Sequence, residues 1–230
     1  DEYLHQQKGA LGNFCSGGTI ANLTALWVAR NTCLNGMSKG NVSRHGLHGM
    51  LQQNNVNGLA VLVSKRGHYS LSKAMDLLGL GRDNLITVPT DEHQKINIEA
   101  LEHHIQDLKK KNIKLMAIVG IAGTTETGNI DPLQQLAHIC QREHCHFHVD
   151  AAWGGATLLS NKYRQLLAGI DAADSVTIDA HKQMYVPMGS GMVLFKDPLA
   201  LESVKHHAEY ILRKGSKDLG STSVEGSRPG

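Results

Sequence analysis

The sequence predicts an α/β domain built on a mostly parallel sheet with helices on both faces. Short apolar runs of strand length alternate with segments whose apolar residues recur every three or four positions. Glycine, proline, asparagine or aspartate separates most of these segments, as is typical of turns. Repeated strand–helix–strand order favours a parallel sheet, because the connecting helices cover both of its faces.

The first half of the chain predicts two helices and two strands. Apolar residues recur at helical spacing over residues 20–31, and again over residues 68–78, which Gly79 follows as a helix stop. Apolar runs rich in β-branched residues predict buried strands at residues 59–63 and 85–88.

Capping residues indicate where the later helices begin. Asn97 can cap a helix over residues 97–108, and the pairs Asp131-Pro132 and Asp197-Pro198 each predict a helix start. Further strands are predicted at residues 115–121, 146–150, 175–178 and 192–195. Beyond residue 213 the chain is polar and rich in glycine and serine, which indicates a mobile loop.

Composition excludes several classes of protein. With 41% hydrophobic and 19% charged residues, the chain can bury a core and is not disordered in bulk. A net charge of +2 does not favour nucleic acid as a partner. No apolar run reaches the roughly 18 residues of a membrane span. Four scattered cysteines favour a reducing, cytoplasmic location.

A glycine-rich turn, Cys15-Ser-Gly-Gly18-Thr19, precedes the first predicted helix. Glycine lets a backbone approach a ligand closely, and a helix N-terminus offers unpaired N–H groups. With the Thr19 hydroxyl, the turn suits a phosphate. It matches neither a dinucleotide fingerprint nor a P-loop, because no lysine follows the glycines. A plain turn with a Ser or Thr helix cap fits the same residues.

Asp150 ends an apolar strand, and the small residues Ala151 and Ala152 follow it. Ligands of parallel sheets gather at the carboxyl ends of the strands. A carboxylate there could bind a metal, act as a base or pair with a ring nitrogen. A turn or helix-cap aspartate fits the same pattern.

Lys182 follows a later apolar strand and is expected to sit among uncharged neighbours, ahead of residues 183–187. A lysine held in a dry site becomes a usable amine nucleophile, as Schiff-base chemistry requires. Most lysines are instead surface residues with a buried stem. A phosphate turn, a strand-end carboxylate and a strand-end lysine together are the three groups that pyridoxal phosphate needs.

Five stretches of the chain match one family in order: SGGTIANLTAL at 16–26, GHYS at 67–70, GTTETG at 123–128, HVDAAW at 148–153 and DAHK at 179–182. They resemble the group II amino acid decarboxylases, which are fold-type-I pyridoxal phosphate enzymes. Residues 179–191 are most similar to bacterial pyridoxal-dependent aspartate 1-decarboxylases. The resemblance implies that residues 1–230 are the cofactor-binding large domain of a fold-type-I transferase, without the N-terminal segment and the C-terminal small domain.

The resemblance also implies roles for individual residues. Lys182 would carry pyridoxal phosphate as an internal aldimine, and loss of carbon dioxide would give a quinonoid intermediate. Asp150 would pair with the pyridinium nitrogen, because a close opposite charge favours the protonated ring. Ala152 would pack on one ring face and His68 on the other.

Further cofactor contacts follow from the same resemblance. Gly18 and Thr19 would hold the phosphate, Thr125 would lie at the ring edge near Asp150, and His181 would lie beside the cofactor. The implied substrate is an acidic amino acid, with aspartate ahead of glutamate, and the implied assembly is a homodimer.

Two departures from the family pattern concern the proton donor and the phosphate site. Asp179 stands where animal relatives have asparagine, and an anion is a poor direct ligand for a phosphate, so it receives no such role. Residues 211–230 contain no tyrosine to protonate the carbanion, and Tyr210 is a weak substitute. Arg228 is one candidate for the partner of a substrate carboxylate.

Other interpretations of the chain remain open at this point. Another lyase or an aminotransferase could use the same fold and cofactor. A truncated, inactive binding domain could also keep the fold. The histidines and cysteines at residues 138–148 suggest a metal, but their spacing matches no usual zinc pattern, so no metal site is predicted.

Overall fold

The sheet and its helices are seen in a computed structural model that describes residues 10–38, 40–206 and 223–225. The strands are β1 Leu11–Cys15, β2 Gly58–Ser64, β3 Leu85–Val88, β4 Ile113–Ile121, β5 His146–Asp150, β6 Ser175–Asp179 and β7 Gly191–Phe195. The helices are α1 Gly18–Met37, α2 Val42–Gln53, α3 Ser70–Leu77, α4 Ile98–Lys110 and α5 Leu133–Glu143. Short 3₁₀ turns occupy Arg82–Asn84, Gly154–Leu159, Arg164–Leu167, Ile170–Ala172 and Ala200–Val204.

The seven strands form one sheet in the order β1-β7-β6-β5-β4-β2-β3. Pairing is parallel from β6 through β5, β4 and β2 to β3. Strand β7 runs antiparallel to both of its neighbours, β1 and β6. The predicted mostly parallel α/β architecture is therefore confirmed, with one reversed strand.

Helices cover both faces of the sheet, and the alternation of side chains along β2 shows how. Ala60 and Leu62 point into a core shared with α4 and α5. Val61 and Val63 point into the opposite core, shared with α1, α2 and α3. All seven residues of β2 are buried, as expected of a strand covered on both sides.

Most predicted elements are confirmed, and Asn97 caps its helix as expected. Its side-chain oxygen accepts a hydrogen bond from the Ala100 N–H at 2.9 Å. Helix α1 continues to Met37, past the predicted end at residue 31. The helix expected after Asp197-Pro198 is only the short 3₁₀ turn Ala200–Val204.

Three features differ from the sequence-based expectation. Strand β1 was not predicted, but it pairs with β7 along the whole of its length. Helix α2 was not predicted, because it is broken at Gly46, where φ is 69°. Asp131 does not cap α5, since its carboxylate is used by the Ile96 and Ile121 N–H groups instead.

Three further expectations lie outside the described residues, namely Tyr210, Arg228 and most of the loop expected after residue 213. Within the described ranges, no helix has both the length and the hydropathy needed to cross a membrane.

Candidate active site

A cavity of about 360 Å³ opens where the carboxyl ends of β5 and β6 meet the N-terminus of α1. All eight residues predicted to hold or use the cofactor line it. They are Gly18, Thr19, His68, Thr125, Asp150, Ala152, His181 and Lys182. The parallel sheet brings them together because strand ends that are distant in sequence share one edge.

Gly18 opens α1 at the floor of this cavity, where a side chain has no room. A Cβ atom there would lie 2.7 Å from Asp179 Oδ2 and 3.3 Å from Ala152 Cβ. The first N–H groups of a helix have no acceptor within the helix and carry partial positive charge. Glycine therefore leaves this helix end open to an anion.

Asp150 is a fixed carboxylate whose two oxygens both accept hydrogen bonds. Oδ2 accepts from Asn22 Nδ2 at 2.9 Å, and Oδ1 accepts from the Ala152 N–H at 3.1 Å. The residue is only 6% exposed. Two neutral donors stabilise its charge and fix its orientation without neutralising it.

Lys182 is paired with a second buried carboxylate. Its Nζ lies 3.0 Å from Asp179 Oδ2, and its side chain is 33% exposed. The expectation of a dry lysine among uncharged groups is therefore wrong. Asp179 is 3% exposed, and its Oδ1 has no hydrogen-bond partner within the described residues. A buried polar atom without a partner marks a place where a ligand or water belongs.

His68 is held by Ser70 beside the cavity. Its Nδ1 accepts a hydrogen bond from the Ser70 N–H at 3.2 Å and lies 2.9 Å from Ser70 Oγ. Burial lowers the pKa of His68, although the nearby charge of Asp150 acts in the opposite direction. The ring is therefore neutral, with its proton on Nε2.

The remaining predicted residues line the cavity in different ways. His181 is held through Nδ1, which accepts from the Ser190 N–H at 3.1 Å, while its Nε2 lies 3.6 Å from Asp179 Oδ2. Thr125 is exposed at the cavity wall. Among the described residues, the partners of Asp150 are Asn22 and Ala152 rather than Thr125.

Sequence reasoning missed two residues of this site, Asn22 and Arg66. Asn22 is 1% exposed and donates to both Asp150 and Ser70. Its one signal was its position four residues after Gly18, which places both on the same face of α1. Arg66 lines the cavity next to Gly67-His68 and pairs with Glu126.

His146 and His148, which the sequence offered as metal-ligand types, share one hydrogen-bond partner, the Ser175 hydroxyl. Both rings hydrogen-bond to Ser175 Oγ, at 2.7 and 2.8 Å, and His148 Nε2 lies 3.0 Å from Asn22 Oδ1. Burial, and to a smaller extent the adjacent His146, lowers the pKa of His148 to about 3. The described part of the chain has no group of three or more His, Cys, Asp or Glu residues placed to hold a metal ion.

The model of the pyridoxal-dependent decarboxylase conserved domain matches residues 1–229. The chain belongs to this family. Pyridoxal phosphate is the family's cofactor, and the residues of the site fit it. The N-terminus of α1 at Gly18, called the phosphate cradle below, suits a phosphate. Asp150 is a fixed anion, and Lys182 supplies an amine in the same cavity.

Relatives within the pyridoxal-dependent decarboxylases act on several amino acids. An aspartate 1-decarboxylase of Aliivibrio fischeri is 63% identical over 99% of this chain and 42% of its own length. An L-2,4-diaminobutyrate decarboxylase of Acinetobacter baumannii is 35% identical over 89% of this chain and 40% of its own length. The chain thus spans about two fifths of the length of these relatives.

A solved structure shows the same fold. The crystal structure of mouse CSAD has a TM-score of 0.85 and 32% sequence identity, covering 98% of this chain and 46% of that one. The sheet and the cavity described above therefore lie on a scaffold that is known from experiment.

Proposed function

We propose that the protein decarboxylates an acidic amino acid, with aspartate ahead of glutamate, in this pyridoxal phosphate site. The observation that carries the proposal is the convergence of Lys182, Asp150 and Gly18 on one cavity at the carboxyl edge of the sheet. The similarity to an aspartate 1-decarboxylase supports the choice of substrate. Residues 1–230 would be the cofactor-binding large domain of this enzyme.

Four residues would hold the phosphate, the aldehyde carbon and the ring nitrogen of the cofactor. Gly18 and Thr19, at the N-terminus of α1, would bind the phosphate through backbone N–H groups and the Thr19 hydroxyl. Lys182 Nζ would bind the aldehyde carbon covalently. Asp150 would keep a proton on the ring nitrogen, because its charge is fixed by Asn22 and Ala152. Pyridoxal phosphate, when bound, supplies the electron sink for the pair left by departing carbon dioxide.

His68 and Ala152 would orient the ring from its two faces. The neutral His68 ring is a flat, uncharged surface that does not repel a protonated pyridine. Ala152 leaves the opposite face free of bulk, while Thr125 and His181 would contact the edges. His68 also presents its Nε2 proton, so it can donate a hydrogen bond within the cavity.

A substrate carboxylate in a shielded pocket needs a cationic partner, and Arg66 is placed to supply one. Arg66 lines the cavity and its side chain is 29% exposed, although its guanidinium also pairs with Glu126 and donates to Gln94 Oε1 at 2.6 Å. Arg66→Gln should raise KM for aspartate about tenfold, because the variant loses one charge-assisted hydrogen bond to the substrate. Arg82→Gln, which removes an exposed arginine paired with Asp76, is the matched control.

The proposed assembly is a homodimer, and the proposed location is the cytoplasm. Met188 lines the cavity, and Tyr185 lies between it and Lys182 in the sequence; they are 84% and 93% exposed. Large exposed apolar side chains in this segment favour cover by a second polypeptide. All four cysteines are free, which favours a reducing compartment. Sedimentation of a fully active monomer would contradict the dimer.

The test of the proposed function is product analysis of the intact protein with pyridoxal phosphate. Aspartate, glutamate, 2,4-diaminobutyrate and tyrosine should be compared by kcat/KM. We expect carbon dioxide and β-alanine from aspartate, at the highest kcat/KM of the four. A preference for diaminobutyrate or tyrosine would refute the acidic substrate class, and transamination without carbon dioxide would refute decarboxylation.

A further inference from the structure

A series of hydrogen-bonded polar side chains, the hydrogen-bond chain, runs from His146 on β5 through Asn22 on α1 to the cavity. His146 and His148 share a face of β5 and both contact Ser175 Oγ on β6. His148 then contacts the Asn22 side-chain oxygen at 3.0 Å. The Asn22 amide nitrogen contacts Asp150 Oδ2 and Ser70 Oγ, each at 2.9 Å.

Two anchors in the cavity fix the orientation of the Asn22 amide. The Ser70 N–H can only donate, so His68 Nδ1 carries no proton and the Ser70 hydroxyl must donate to it as well. Ser70 Oγ therefore accepts from Asn22 Nδ2. An ionised Asp150 requires a donor too, and an amide oxygen in that position would repel it. Both anchors place the Asn22 oxygen on the opposite side, toward His148.

The orientation of Asn22 then determines the protonation of both histidines. Because Asn22 Oδ1 is an acceptor, His148 Nε2 must be the donor. A neutral His148 has no proton on Nδ1, so the Ser175 hydroxyl donates to Nδ1. Ser175 Oγ is then left to accept, and His146 Nε2 donates to it. In every link of this series of hydrogen bonds, the donor lies on the side of His146 and the acceptor lies on the side of the cavity.

We propose that Asn22, His148 and Ser175 are positioning residues, whose one-way hydrogen bonds hold the Asn22 amide as a donor to both Asp150 and Ser70. One amide thereby donates a hydrogen bond to the Asp150 carboxylate and another to the Ser70 hydroxyl, which contacts His68. Reversal of any link would turn the Asn22 oxygen toward Asp150, where like partial charges repel. The role of these residues toward the cofactor rests on the proposed function. The donor-to-acceptor direction of the hydrogen bonds does not.

The direct test is ¹⁵N NMR of the intact protein labelled at histidine, with and without pyridoxal phosphate. We expect His68, His146 and His148 each to carry a proton on Nε2 and none on Nδ1. A protonated Nδ1 on His148 or His68 in the unmodified protein would overturn the proposal. This measurement does not require the enzyme to turn over. It therefore still tests the direction of the hydrogen bonds if the proposed decarboxylation is wrong.

Variants of Ser175 test whether the hydrogen-bond chain acts on the reaction. Ser175→Ala removes the donor to His148 Nδ1 without touching the cavity. The Nε2 tautomer of His148 is then held by Asn22 alone, so its population should fall. We expect kcat to fall about tenfold with KM within about twofold, which is the lower end of the loss seen when the partner of a metal ligand is removed. Ser175→Thr keeps the hydroxyl and should restore the Nε2 tautomer and most of kcat.

Ser203→Ala is the matched control, because its hydroxyl donates only to the Ala200 carbonyl, at 2.7 Å, in a turn away from the cavity. It should leave the histidine tautomers and kcat unchanged. If Ser175→Ala also leaves the His148 tautomer and kcat at the parent values, the positioning role is wrong.

Discussion

Two buried aspartates end neighbouring strands of the sheet, and they differ in how their charge is stabilised. Asp150, on β5, has a hydrogen bond to each oxygen from neutral donors. Asp179, on β6, has one oxygen beside Lys182 Nζ and the other without a partner in the described residues. The carboxylate of Asp150 is thus held by hydrogen bonds of the fold itself. The charge of Asp179 is instead stabilised by a lysine that the proposed reaction uses.

A third buried aspartate, Asp131, shows that burial alone does not indicate a site. Its two oxygens accept from the Ile96 and Ile121 N–H groups, at 2.7 and 2.9 Å, and join the segment before α4 to the end of β4. Burial raises the pKa of Asp131 to about 6, even though these two hydrogen bonds lower it. Function at Asp150 and Asp179 is indicated by the shared cavity.

The largest effect is expected from Asp150→Asn, which keeps the shape of the side chain and removes its charge. An amide cannot hold a proton on the ring nitrogen, so kcat should fall on the order of 10²- to 10³-fold, as for other lost electrostatic groups. Circular dichroism should show an intact fold, and the phosphate cradle should still bind the cofactor. Turnover at the parent rate would rule out the ring-nitrogen role.

A smaller effect is expected on the stability of the cofactor-free protein when Lys182 is replaced. Lys182→Met leaves the Asp179 carboxylate buried without its cation. The free energy of unfolding should fall by about 1–2 kcal/mol, below the usual cost of a broken buried pair because Lys182 is partly exposed. Urea unfolding measures it, and adding Asp179→Asn should recover most of the loss.

Lys110→Met is the matched control for this pair, because Lys110 and Asp107 have the same three-residue spacing on an exposed helix face. It should not change the stability measurably. Two results would show that Asp179 does not depend on Lys182. One is a double variant that recovers none of the lost stability, and the other is a loss of the same size in Lys110→Met.

An effect of similar size is expected in the pH dependence of stability contributed by Asp131. Its folded pKa of about 6 lies above the ordinary value of 3.8, so the folded state binds the proton more tightly. The stability it contributes is complete below about pH 4 and is lost as the pH rises through about 6. Asp131→Asn should remove about 1–3 kcal/mol of this pH dependence, as followed by thermal unfolding. A parent-like slope in the variant would contradict the assignment.

Asp91→Asn is the control for that measurement. Asp91 also accepts two backbone hydrogen bonds, from His93 and Lys95, but it is only partly buried, and its charge is a minor cause of the raised pKa of Asp131. Its replacement should keep most of the parent's pH dependence, since burial is the main cause of the shift at Asp131.

The sequence was sufficient to predict the sheet and the charged ends of its strands. Apolar runs rich in β-branched residues fixed β2 to β7 closely, and Asp150 and Lys182 each follow such a run. Strand ends of a parallel sheet meet at one edge, so their convergence could be inferred without coordinates. Strand β1 was missed because an edge strand of five residues with Gly12 and Asn13 has a weak pattern.

The polar contacts within the site could not be predicted in the same way. Asn22 is 128 residues from Asp150 and 126 from His148, so nothing local marks it as their partner. His148 has the sequence context of a metal ligand, and only the position of Ser175 and Asn22 explains its burial. Arg66 was missed because an arginine after a strand is common at surfaces.

Borohydride reduction of the cofactor-loaded protein, followed by peptide mapping, tests the central claim most directly. Reduction fixes the cofactor to the lysine that holds it, and Lys182 is the lysine of the cavity beside Asp179. We predict that the label lies on Lys182 and is absent from the Lys182→Met variant. Label on a different lysine of the unmodified protein would contradict the account of the site.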